Sequence, residues 1–175
     1  RHSLGIIQII LDKNWQISLI DWIDAALSNL KDKATLPRKD IEKYVGDLFT
    51  QRFRSMLSGQ EYPHDVIDAV LSVGIDSPSD IQKKVAALSD LKKQPYFETL
   101  AVAFRRVVSI LNSEAEGKPI ADIFNSQEEK NLHQAYLKIR EPVDKCISEK
   151  DFASALKSIV EIKEYVDAFF DNVMV

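Results

Sequence analysis

The chain has 175 residues, 45% of them hydrophobic, and a formal net charge of −4. That is enough for a genuine core in one domain, or in a domain with a helical appendage, and the acidic balance argues against a dedicated nucleic-acid binder on charge alone. A single cysteine, Cys146, excludes an internal disulfide, and no apolar run reaches the roughly 18–20 residues needed to span a bilayer, so a cytoplasmic protein without membrane contact is expected.

Five glycines and six prolines favour long helices with short connections over a turn-rich β fold, and every segment reads as helix. Residues 3–13 form a short apolar element. Ser18 is placed as the next N-cap, with Asp21 three positions on and Ile17 with Trp22 spaced for a hydrophobic staple. A helix follows Pro37 and stops just before Gly59, its stripe being Ile41, Tyr44, Val45, Leu48, Phe49, Phe53 and Met56. A compact helix from Pro63 turns Val66, Ile67, Val70 and Leu71 inward and stops at Gly74. Ser77 caps the next, with Pro78 at its first position. From Pro95 a helix carries Phe97, Leu100, Phe104, Val108 and Leu111 as its stripe. Residues 113–125 are the one convincing loop. Ser126 and Glu129 then form a capping box, Pro142 should kink or divide the helix they open, and a last helix runs from Asp151 into "YVDAFF". The expected organisation is one all-α domain over residues 1–175, a bundle over 1–118 and a C-terminal helical hairpin over 119–175.

Candidate chemistry is sparse. His64–Asp65 is the dipeptide of metal-dependent HD phosphohydrolases, but His2 and His133 lack ligand-like neighbours, and the pair more simply begins a helix. Cys146 lies at helical spacing behind Ile139 and Val143, as a small buried hydrophobe does. No phosphate loop, nucleophile elbow or zinc-protease motif occurs, so catalytic and metal residues are expected to be none. The cations say more. Residues 31–118 are close to charge balance, whereas 119–175 are acidic, so charge permits phosphate contact in the middle, which contains Lys92 and Lys93, without requiring it. Arg105 and Arg106 fall away from the Phe104 stripe, beside Ser109 and Asn112. That face is either ordinary solvated surface or a ridge for phosphates and bases. Arg52 falls inside an apolar stripe and is expected to be structural, snorkelling or paired with a carboxylate. Arg54 points the opposite way and is the better candidate for an external ligand.

Several stretches together resemble one family. "LFTQRFRSML", "DVIDAVLS", "AFRRVVSILN" and "DFASALKSIVEIKEY" followed by "VDAFFDNVMV" stand in the order and spacing of the beta subunit of bacterial glycyl-tRNA synthetase, and "RHSLGIIQIIL" resembles the entry to its C-terminal helical region. The resemblance covers essentially the whole chain. It implies a DALR-type anticodon-binding bundle that grips glycine tRNA, with Arg54, Arg105, Arg106, Lys92 and Lys93 as RNA-binding candidates. It also implies an alpha subunit and the rest of a longer beta chain as partners. Catalysis, with ATP and magnesium, would lie in the alpha portion, leaving no cofactor here. The apolar ends fit a fragment of a longer chain. They and the negative charge also support a rival expectation, a helical protein-interaction domain docking onto a partner subunit.

Overall fold

The computed structural model describes residues 2–30, 33–111 and 123–173, and among these it contains nine helices and no strand. The all-α expectation holds. The helices are α1 (His2–Asp12), α2 (Leu19–Leu30), α3 (Arg38–Gly59), α4 (His64–Leu71), α5 (Pro78–Lys92), α6 (Phe97–Ile110), α7 (Gln127–Ser148), α8 (Phe152–Val160) and α9 (Lys163–Asn172). The chain divides into two compact units, Arg1–Ser89 and Asp90–Val175. The border thus falls within α5, whereas residues 118–119, where bundle was expected to meet hairpin, lie outside the described residues.

The first unit is built on α3. Two ridges of side chains four residues apart run side by side on this helix, and both are largely apolar. The ridge Ile41, Val45, Phe49, Phe53, Leu57 turns inward: Phe53 and Leu57 are fully buried, and Phe49 nearly so. The neighbouring ridge Tyr44, Leu48, Arg52, Met56 lies at the edge, leaving Tyr44 63% and Leu48 41% exposed. Spacing alone could not separate two adjacent rows that both satisfy a helical period. Against the inward ridge pack Ile7 of α1, Leu19 and Ile23 of α2, Val66, Ile67 and Leu71 of α4, and Ile81 and Val85 of α5.

Backbone capping locks these helices at their ends. Ser18 accepts from the Asp21 amide at 3.1 Å, as its spacing predicts. A second cap comes from far along the chain. The Asp76 carboxylate accepts from the Ser18 hydroxyl at 2.8 Å and the Ile20 amide at 3.1 Å, while its carbonyl accepts from the Leu19 amide at 2.8 Å. Three residues on, the buried Ser79 hydroxyl donates to the Trp15 carbonyl at 3.1 Å. The start of α5 therefore holds both the end of α1 and the start of α2, satisfying first-turn amides that a lone helix leaves open.

The C-termini show one correction. Gly59 is the last helical residue of α3, not the residue beyond it, and the left-handed position is Glu61, with φ 62°. The Tyr62 amide reaches the Leu57 carbonyl and the Glu61 amide the Ser58 carbonyl, which is the Schellman arrangement. Asn14 (φ 49°) after α1 and Lys150 (φ 61°) after α7 repeat it. Gly74, φ 121°, does lie just beyond α4.

In the second unit α7 packs against both α8 and α9, and α6 against α9. Among its described residues the buried apolar ones are Leu100, Ala103, Ala135, Ala155 and Val166. The capping box is formed: Ser126 accepts from the Glu129 amide, and Glu129 accepts from the amides of Ser126 and Asn125 at 2.7 and 2.8 Å. The Ser126 amide is the main cause holding the Glu129 carboxyl below its ordinary pKa. Hydrogen bonds from Ser154 do the same for Asp151, the cap of α8. Of the kink or division expected at Pro142, division does not occur: α7 runs unbroken through it. The returning arm, expected as one helix, is split into α8 and α9 at Glu161–Ile162, with no glycine or proline to mark the break.

Candidate nucleic-acid interface

The six cations singled out in the sequence fall in different units, and the structure engages most of them. In the first unit Arg54 is exposed on α3, but its Nε and Nη2 both donate to one oxygen of Asp68 on α4, at 2.9 and 2.8 Å. It braces α3 against α4 and offers a ligand only its remaining donors. Arg52, on the edge ridge, is half-buried, and its Nε is buried without a hydrogen-bond partner. The expected carboxylate partner is absent among the described residues, so the stem is held by packing.

In the second unit Arg105 is exposed and forms no ion pair among the described residues. Arg106 is turned the other way. Its guanidinium lies over the Phe170 ring of α9, 4.5 Å from the centroid, and reaches Asp171 at 3.3 Å. The pair of arginines does not form a single solvated face: one is open and one links α6 to α9. The same rotation explains why Val108 and Leu111, expected in the inward stripe, are 65% and 66% exposed, while Leu100 and Ala103 are buried. Apolar residues occur on several sides of α6, so its period is ambiguous. Lys93 pairs with Asp90 one turn earlier at 2.8 Å, and both are well exposed. Lys92 is half-buried near the end of α5. Asn112 and most of the 113–125 loop lie outside the described residues.

The apolar "VDAFFDNVMV" is largely accounted for within this unit. Val166 is buried, and Phe169 and Phe170 meet edge to face at 5.5 Å, with Phe170 also carrying Arg106. Residues 174 and 175 lie outside the described residues.

The hydrolase-like dipeptide gains no companions. His64 opens α4 with its Nδ1 3.5 Å from the Ser58 hydroxyl, and no group of three or more His, Cys, Asp or Glu placed to hold a metal ion occurs among the described residues. Cys146 is a half-buried free thiol on α7. No helix among the described residues is long and apolar enough to cross a membrane.

Each unit holds a concavity among its described residues. The first, of about 500 Å³, lies between α2, α3 and the start of α5, over Leu19, Ile23 and Ile81, with Asp76 and Glu42 among its lining. The second, of about 560 Å³, is bordered by Tyr96, Lys138, Glu161, Glu164 and Tyr165. Sequence reading passed over both tyrosines and Lys138. The break between α8 and α9 that borders this cleft had no sequence signal.

Comparison with known proteins supplies what the geometry lacks. A sequence model of the family described as Glycyl-tRNA synthetase beta subunit matches residues 1–72. Three curated proteins are similar along the whole chain: the Glycine–tRNA ligase beta subunits of Syntrophus aciditrophicus (35% identical over 175 residues), Geotalea uraniireducens (38% over 176) and Geobacter sulfurreducens (36% over 175). In each case the match covers 100% of this chain and 25% of the relative. The chain thus spans about a quarter of the length of the curated relatives it matches. That similarity is carried through both units, so the chain is similar along its whole length to one segment of the glycyl-tRNA synthetase beta subunits.

Proposed function

We propose that this chain is a helical RNA-binding module of a glycine–tRNA ligase, gripping the anticodon arm of glycine tRNA. The observation that carries the reading is the match along the whole chain to Glycine–tRNA ligase beta subunits. Arg105, exposed and without an ion pair among the described residues, supports it, as a group able to donate two parallel hydrogen bonds to phosphate or stack on a base. In this reading the module contributes affinity and position. Aminoacylation with ATP and magnesium belongs to a catalytic alpha portion, and an alpha subunit and the remainder of a longer beta chain are its partners. With several cations held in ion pairs, few counterions are released on binding, so affinity should be modest and salt-sensitive. Titration of glycine tRNA and of the same tRNA with a swapped anticodon, at low salt, tests it. Preference for the native anticodon is expected, and equal affinity for the two would refute anticodon reading.

A second reading, docking onto a partner subunit, draws on the exposed apolar residues of the first unit, among them Ile9, Trp15 and Ile20 at 53%, 48% and 48%. Retention on an alpha subunit with no measurable affinity for either tRNA would favour it.

A further inference from the structure

The cleft of the second unit combines groups that its fold does not consume. Its floor is apolar and shallow-sided because α7 presents the buried Ala135 there, a side chain too short to fill the space, beside the half-buried Ile139 and Val160. Tyr96, just ahead of α6, and Tyr165, in the first turn of α9, border it, and both remain exposed, at 39% and 43%. A tyrosine so placed keeps a ring face available to a planar ligand. Two kinds of charge share the rim. Lys163 is occupied by Asp167 at 2.5 Å, whereas Lys138 of α7 is exposed and forms no ion pair among the described residues. Glu161 and Glu164 are exposed carboxylates at the α8–α9 break.

Resting on the RNA-binding reading above, we propose that this cleft takes one unpaired nucleobase bearing an exocyclic amino group. The base would stack on Tyr165 or Tyr96, as sequence-tolerant single-strand binders use aromatic rings. The carboxylates supply the selectivity. An ionised Glu only accepts hydrogen bonds, so Glu161 and Glu164 suit the amino groups of cytosine, adenine or guanine and leave a uracil carbonyl facing like charge. They also repel phosphate, which places the strand backbone on the Lys138 side. The volume of about 560 Å³ exceeds what a base alone needs and leaves room for its sugar.

The probes are the single-stranded hexamers r(C)6 and r(U)6, with glycine tRNA as reference, titrated into the 175-residue chain at low salt. The cleft predicts that r(C)6 binds more tightly than r(U)6 and that Tyr165→Leu weakens r(C)6 by roughly 5- to 150-fold, the range for loss of one base–aromatic stack. Tyr165→Phe should bind like the parent. Glu161→Gln with Glu164→Gln should narrow the difference between the hexamers, and Lys138→Gln should lower the salt slope by about one. The Ala135 methyl resonance of the unmodified chain should shift on adding r(C)6, a readout independent of any variant's folding. An unmoved Ala135 methyl, equal affinity for the two hexamers, or tRNA binding without hexamer binding overturns the cleft and leaves the tRNA reading standing. Failure of tRNA and both hexamers to bind overturns the two together.

Discussion

Three helices of this protein end on side-chain-bearing residues in the left-handed region: Asn14, Glu61 and Lys150. Asparagine tolerates that conformation, but for most L-residues it costs about 1–2 kcal/mol through the crowded Cβ. Glycine removes the clash while adding freedom to the unfolded chain. We expect Glu61→Gly and Lys150→Gly each to raise stability by about 0.5–1 kcal/mol, read as a higher urea midpoint with an unchanged slope. The opposite change, Gly74→Ala, should lower it by a comparable amount, although open space surrounds Gly74, because only its backbone angle is at fault. Glu129 gives a pH dependence of definite sign. Its carboxyl is held below the ordinary value by the Ser126 amide, so the unfolded chain takes up the proton first. The stabilisation is complete above the unfolded pKa of about 4.3 and is lost as pH falls through the lower folded value. Melting temperatures from pH 6 to pH 3 should therefore drop further for the parent than for Glu129→Gln. Parallel curves for the two would contradict this.

Between elements, the arginines separate differently from what facing alone predicts. Arg106 was expected on an open polar face, where charge reversal leaves the fold intact. Instead it ties α6 to α9 through Phe170 and Asp171. An exposed cation–π contact contributes roughly 0.5–1 kcal/mol and an exposed ion pair about 0–1 kcal/mol. Arg106→Glu, which also sets a carboxylate beside Asp171, should cost about 1–2 kcal/mol in thermal or urea melts. Arg52 behaves in the other direction. Its buried Nε has no hydrogen-bond partner, and a buried unsatisfied donor is a standing cost of about 1–3 kcal/mol. Arg52→Met keeps a long apolar stem in the Leu48–Met56 row and removes the donor, so stability should be unchanged or higher by up to about 1 kcal/mol. Arg52→Glu should lower it, and a neutral result there would show that the site is open to solvent. With Arg106 committed to α9, Arg105→Glu is the variant whose loss of RNA affinity can be read without a folding defect.

At the scale of the whole molecule, the two units are unequally filled. The first draws one continuous cluster from five helices around Phe53, Leu57 and Ile67, all fully buried. Among the described residues of the second, three of the five buried apolar residues are alanines, Ala103, Ala135 and Ala155, each of which removes little surface from water. We expect residues 1–93, ending after α5, to melt cooperatively on their own by circular dichroism. Residues 90–175 should melt at a lower temperature with a broader transition. Should the first fragment lack a cooperative transition, its cluster is insufficient without the second unit, and the division by contacts is not a division in folding.

The sequence by itself determined what local chemistry dictates. The starts of α2, α5, α7 and α8 are written in their own few residues, at Ser18, Ser77, Ser126 and Asp151, because a cap and its amide are three positions apart. The all-α class followed from the helical period and the scarcity of glycine, and the likeness to glycyl-tRNA synthetase beta subunits from ordered motifs. Tertiary structure decided what depends on partners far along the chain. Which of two apolar rows of α3 turned inward was set by what packs on it. Asp76 became the cap of α2 from 56 residues away. Arg106 lost its open face to an α9 side chain 65 positions on. The cleft between α6, α7 and the α8–α9 break needed all of them at once. A helix repeats its chemistry every three or four residues, so its sequence states what each side can bury; only packing states which side does.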